Sequence, residues 1–155
     1  MADADIFHGL EPAGELVLAH GDYGLGNVCC IGGDVGRLVI LDPEPAPFLD
    51  MSATVITRPE LDIALFASCL EGIFPYQFYW RYDWKGIPVV REELIKGYVD
   101  ESGRAIGYED VTILAGRLLR QFAHSMTGSE RTLRHRLFGM FLRYRAKRMT
   151  ARMEY

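Results

Sequence analysis

The sequence predicts an α+β fold, a small β unit followed by a bundle of helices. Three observations carry this. Two β-rich runs, Val28–Ile31 and Arg37–Leu41, flank Gly32-Gly33-Asp34-Val35-Gly36, the pattern of a hairpin around a Gly/Asp turn. From Leu61 onward apolar residues recur every three or four positions, the period of an amphipathic helix. The 155 residues are 49% hydrophobic and 25% charged, proportions that suit one globular domain able to bury a sizeable core.

The elements follow in order. Residues 1–15 form a lead. Leu16–Ala19 is a short apolar run and a candidate buried strand. A loop, His20–Asn27, separates it from the hairpin. Pro43, Pro45 and Pro47 then exclude regular structure. Leu61, Leu65, Phe66, Cys69, Leu70 and Ile73 share one wide apolar face of a helix over 61–73. Residues 74–88 read as an aromatic loop, more suited to packing helices together than to caging a quaternary ammonium. Further helices are expected over 90–101, 107–125 and 129–149. Val111, Leu114, Ala115, Leu118, Leu119 and Phe122 make the inner face of the 107–125 helix. Leu133, Leu137, Met140, Phe141 and Tyr144 make the expected seam of the last. Thr127 and Glu130 have capping-box spacing before it, with Ser129 as an alternative cap. The chain thus reads as a single domain over 1–155, with a loop-and-hairpin part over 16–50 and a helical part over 51–155.

Composition excludes several classes. No apolar run approaches the roughly 18 residues of a membrane span. The opening Met-Ala-Asp-Ala-Asp lacks the basic-then-apolar order of a secretory signal, so a cytoplasmic protein with no membrane partner is expected. Cys29, Cys30 and Cys69 suggest no disulfide framework and read as small buried hydrophobes rather than metal ligands. The net charge of −4 hides an asymmetry: residues 1–129 hold 19 acidic against 9 basic side chains, and residues 130–155 hold 8 basic against 2 acidic. An acidic body favours a cationic small substrate. The basic tail reads as the solvated face of a terminal helix, so no nucleic-acid partner is expected. Glu71, Asp83, Glu92 and Glu93 are likewise assigned to solvated faces. His8, His124 and His135 are isolated and are not expected to be ligands or bases.

The chemistry concentrates in His20-Gly-Asp22-Tyr-Gly-Leu-Gly-Asn27. Asp22 lies two residues after His20 and five before Asn27, close enough on a tight loop for carboxylate and amide to converge. The hairpin carries a second carboxylate, Asp42, back beside the loop. Two carboxylates and an amide oxygen around one point make a hard oxygen site that suits Mg²⁺. Glu44, two residues further, could add a ligand or steady one. Phosphoryl transfer uses such groups: an aspartate for the attacking hydroxyl, and an Asn with a second aspartate to hold Mg²⁺ on nucleotide phosphates.

This loop, followed by Ile40-Leu-Asp42-Pro-Glu44, resembles the C-terminal lobe of the aminoglycoside phosphotransferase and choline kinase-like family, which has a protein-kinase-like fold. Pro59-Glu-Leu-Asp62-Ile-Ala resembles the family's Asp-Leu-Ala helix start, and Leu94-Ile-Lys-Gly-Tyr98 a later helix. The resemblance runs from about Leu16 to at least Phe122. It implies a kinase-like C-lobe with catalytic loop, short β-hairpin and C-terminal helical bundle. The implied activity is transfer of the γ-phosphate of ATP (or GTP) to a hydroxyl of a small molecule, with Mg²⁺. Asp22 would be the catalytic base and His20 a structural member of the catalytic loop. Asn27 and Asp42 would hold magnesium and nucleotide, and Asp62 would brace the loop backbone. No Gly-rich strand turn or phosphate-binding lysine has a counterpart in the 19 residues before His20, so the N-terminal lobe is expected to be absent. Weak nucleotide binding would follow, with exposed apolar surface around Leu16–Ala19 and Val39–Leu41 open to self-association or a partner. The alternative is a truncated, non-catalytic member of the same fold that binds a ligand or partner.

Overall fold

The computed structural model describes residues 6–11, 14–42, 56–72, 85–127 and 131–151. Glu44, Ile73, Asp83, Ser129, Glu130 and nearly all of the aromatic loop lie outside these residues. The architecture is mixed α+β: two small two-stranded antiparallel sheets and, among the described residues, four helices. Strand β1 (Val17–Leu18) pairs with β4 (Ile56–Thr57), and β2 (Val28–Ile31) pairs with β3 (Asp34–Ile40). Helices α1 (Glu60–Gly72), α2 (Ile87–Ser102), α3 (Tyr108–Ser125) and α4 (Leu133–Ala151) follow.

The hairpin is tighter than the sequence pattern suggested. Its turn is Gly32-Gly33 alone, because both residues take positive φ (64° and 77°). That is the backbone hand that continues the twist of the flanking strands. Asp34 therefore already belongs to β3, and its carboxylate accepts the Gly36 N–H at 2.9 Å. The register slips between Cys30 and Ile31. Cys29 and Cys30 are exposed rather than buried, since no described element covers the hairpin on either face.

Each helix starts and stops for a local reason. Glu60 and Asp62 place negative charge in the first turn of α1, where the helix dipole favours it. Helix α2 begins at Ile87, three residues before expectation, because Pro88 suits the first turn, where an N–H has no partner to lose. It ends at Gly103, whose left-handed backbone lets its N–H return to the Val99 carbonyl at 2.9 Å. Helix α4 begins at Leu133, later than expected, behind Thr132, whose hydroxyl meets the His135 backbone N–H and ring.

Helix α3 is central, packed on α1 at one side and on α4 at the other. Val111, Leu114, Ala115, Leu118 and Leu119 are buried as the periodicity predicts. The seam of α4 is a correction. Leu133, Leu137, Met140 and Tyr144 are exposed, and Phe138, Gly139, Leu142, Ala146 and Met149 face the core. Close approach decides it: a Cβ on Gly139 would stand 3.0 Å from the Ala123 carbonyl oxygen. Small residues let α4 lie against α3, and the large apolar residues beside them turn outward.

Glu71 is a second correction, since it is buried rather than solvated. Its carboxylate accepts from Arg91 Nη1 at 3.2 Å and from Arg145 Nε at 3.0 Å. Arg91 also donates to the Tyr108 hydroxyl at 2.7 Å. This network ties α1, α2, α3 and α4 together. The lead is held the same way: Arg58 donates to the carbonyls of Leu10 and Glu11, and Arg117 to those of Ile6 and His8.

Candidate functional site

The β1–β4 register sets Val17 opposite Thr57 and Leu18 opposite Ile56. Strand β1 runs directly into His20, and β4 runs through Arg58 and Pro59 into α1. The pairing therefore delivers the first turn of α1 to the start of the loop. Asp62 uses both carboxylate oxygens there, accepting the His20 N–H at 2.7 Å and the Gly21 N–H at 2.9 Å. The brace expected of Asp62 is thus present in the geometry, on a residue that is half-buried rather than buried.

His20 closes the loop against the hairpin. Its Nε2 lies 2.7 Å from the Leu41 carbonyl oxygen, and the Asp22 N–H approaches Nδ1 at 3.3 Å. A carbonyl only accepts, so Nε2 carries the proton and Nδ1 receives. Both ring nitrogens are committed to holding backbone, a structural part.

Asp22 and Asn27 meet directly. The Asn27 amide nitrogen donates to the Asp22 backbone carbonyl at 2.8 Å and to Asp22 Oδ2 at 3.2 Å. Both facing atoms are acceptors, so the NH₂ end of the amide faces them. Asn27 Oδ1 is left on the other side, with no hydrogen bond among the described residues. The Asn27 carbonyl also accepts the Leu41 N–H at 2.8 Å. Leu41 is therefore fixed to both His20 and Asn27, and Asp42 is the next residue. Asp42 has φ of 51°, the positive-φ residue other than glycine among those described. Aspartate tolerates this conformation better than most residues, yet it carries strain of the kind that collects at functional sites.

Tyr23 is a participant the sequence did not single out. Its ring sits between His20 (5.9 Å between centroids) and Phe66 (5.2 Å). Burial, and then the negative charge of Asp62, push its phenol up from the ordinary value. The one sequence cue was an aromatic inside an otherwise Gly-rich loop. Behind the loop, burial pushes the Cys69 thiol up, with the Asp22 charge adding to it and hydrogen bonds to Leu25 and Ser68 opposing.

The donor set that remains is small and hard. No group of three or more His, Cys, Asp or Glu able to hold a metal occurs among the described residues. The oxygens left for a ligand are Asn27 Oδ1 and the exposed carboxylate of Asp42, hard donors of the class that Mg²⁺ takes. No described helix is long and apolar enough to cross a membrane. Comparison of the chain with protein-family models, with curated proteins and with solved structures finds no match.

Proposed function

We propose that the His20–Asn27 loop and Asp42 form the catalytic segment of a kinase-like C-lobe, a Mg²⁺-dependent phosphotransferase acting on a hydroxyl of a small molecule. The observation that carries this reading is the double hold on the loop. Asp62 fixes its start through two backbone N–H groups, and His20 and Asn27 fix its two ends to Leu41. Phosphoryl transfer depends mostly on positioning and charge, so a braced loop bearing a carboxylate and an amide is what the chemistry needs. Asp22 would orient the acceptor hydroxyl and take its proton. Asn27 Oδ1 and Asp42 would hold Mg²⁺, which supplies charge neutralisation on the phosphates of ATP (or GTP). The acidic balance of residues 1–129 favours a cationic acceptor.

A second reading is a non-catalytic partner-binding member of the same fold. It is supported by Leu16, Leu18 and Ile56, which stand exposed at 62%, 75% and 65%, and by exposed Leu38, Ile40 and Leu41. Such a run of apolar residues across two sheets exceeds scattered surface hydrophobes.

Titration with Mg²⁺–ATP and Mg²⁺–GTP, wild type against variants, separates the two. The phosphotransferase reading expects Asp42→Ala to weaken nucleotide binding by about tenfold or more, a loss of roughly 1.4 kcal/mol. It expects Asp22→Ala to keep affinity while removing any phosphate transfer. Absence of any phosphate transfer to a hydroxyl acceptor, together with nucleotide binding indifferent to Asp42→Ala, would leave only the partner-binding reading.

A further inference from the structure

A groove of about 930 Å³ lies between α3 and α4, and its lining shares no residue with the His20–Asn27 loop. Arg117, Arg120 and His124 of α3 line one wall, and Arg143, Lys147 and Thr150 of α4 the other. The spacings, three and four residues, put each set on one helix face. Neither α3 from Val111 to Ser125 nor α4 contains an Asp or Glu. Ion pairs among the described residues join Arg58 to Glu60 and Arg91 and Arg145 to Glu71, so none reaches the groove. Arg117 donates to the Ile6 and His8 carbonyls, Arg143 to the Thr127 hydroxyl at 2.8 Å, and Arg120 only to Thr150 at 3.5 Å. These partners are neutral. They leave Arg117, Arg120 and Arg143 without an anionic partner among the described residues.

We propose that this groove binds a compact small molecule carrying several phosphates. Four Arg and Lys side chains line the two walls, and guanidinium forks match phosphate oxygens in pairs. From Ile113 to His124 the α3 wall is about 16 Å long at 1.5 Å per residue, long enough to seat a short polyphosphate along it. The volume lies within the usual range for small-ligand sites. Apart from the His124 imidazole the lining holds no aromatic ring, so it lacks the row of Phe, Tyr or Trp faces on which single-stranded nucleic acids stack. This proposal stands apart from the phosphotransferase reading.

Calorimetric titration of the full chain with inorganic tripolyphosphate tests it, in about 150 mM salt, where the screening length is about 8 Å. Saturable one-to-one binding is expected, weakened about tenfold or more by Arg120→Ala/Lys147→Ala, with circular dichroism confirming the fold. Arg120→Gln/Lys147→Gln repeats the test with more of each side chain retained. Arg37→Ala/Lys96→Ala removes the same charge elsewhere and is expected to leave affinity within about twofold, since distant surface charges are screened. A titration with ATP in the Asp42→Ala background distinguishes a nucleotide from a free polyphosphate as occupant. Equal losses in both charge-removal pairs, no saturable binding, or tighter binding of a single-stranded RNA oligonucleotide through the same residues would overturn the proposal.

Discussion

His20 shows how one residue can be needed by a site without doing its chemistry. One ring nitrogen reaches the Leu41 carbonyl and the other receives the Asp22 N–H, so the imidazole is a clamp between loop and hairpin. Asp62 is the second clamp, and removing it leaves two N–H groups without their acceptor. Asp62→Ala should therefore lower unfolding stability by about 1–3 kcal/mol, read from urea denaturation; a neutral substitution would show that the brace contributes nothing. The raised Tyr23 phenol and Cys69 thiol give a pH signature. The unfolded chain releases both protons at lower pH than the folded one. Their contribution to stability is complete below the ordinary ionisation range and is lost as pH rises toward the folded values. Alkylation should follow the same order. At about pH 8, where an ordinary thiol is partly ionised, iodoacetamide should label exposed Cys29 and Cys30 well before Cys69, and mass spectrometry of the digest reads the rates.

At the scale of elements, α4 separates two ways of reading an amphipathic helix. Its largest apolar residues at helical spacing suggested a seam through Leu133, Leu137 and Met140. The buried face instead runs through Phe138, Leu142, Ala146 and Met149, because Gly139 and Ala146 permit contact that bulkier residues forbid. Leu142→Ala should cost about 2–5 kcal/mol, whereas Leu137→Ala, 56% exposed, should fall within about 0.5 kcal/mol of wild type. Equal losses at the two positions would restore the sequence-derived seam. Helix α3 was legible because its burial follows one strong period of large residues. The Gly32-Gly33 hairpin was legible from its turn signal, and the Asp62 brace from the family resemblance together with a carboxylate at a helix start. Less legible were the features that depend on close approach between distant segments. Glu71 looked like an ordinary surface acid until Arg91 and Arg145 enclosed it. Tyr23 gains its place only when Phe66 arrives from α1. The basic groove escaped because charge counted along the chain does not show that α3 faces α4.

Across the whole molecule, one apolar cluster runs from Ala19 through α1 and α3 to Met149 of α4, and the loop is mounted at its edge on α1. The packed helical body thereby holds a small polar constellation at its edge. In the proposed phosphotransferase, Asn27 and Asp42 share a cation-bound nucleotide beside Asp22. Amide NMR spectra recorded while Mn²⁺–ATP is added in small amounts test this most directly, because a bound paramagnetic ion broadens only the resonances near it. Selective broadening of Asp22, Asn27, Leu41 and Asp42 is expected, removed by Asp42→Ala. Absence of broadening at these residues, or broadening there that persists in the Asp42→Ala variant, rules the loop site out.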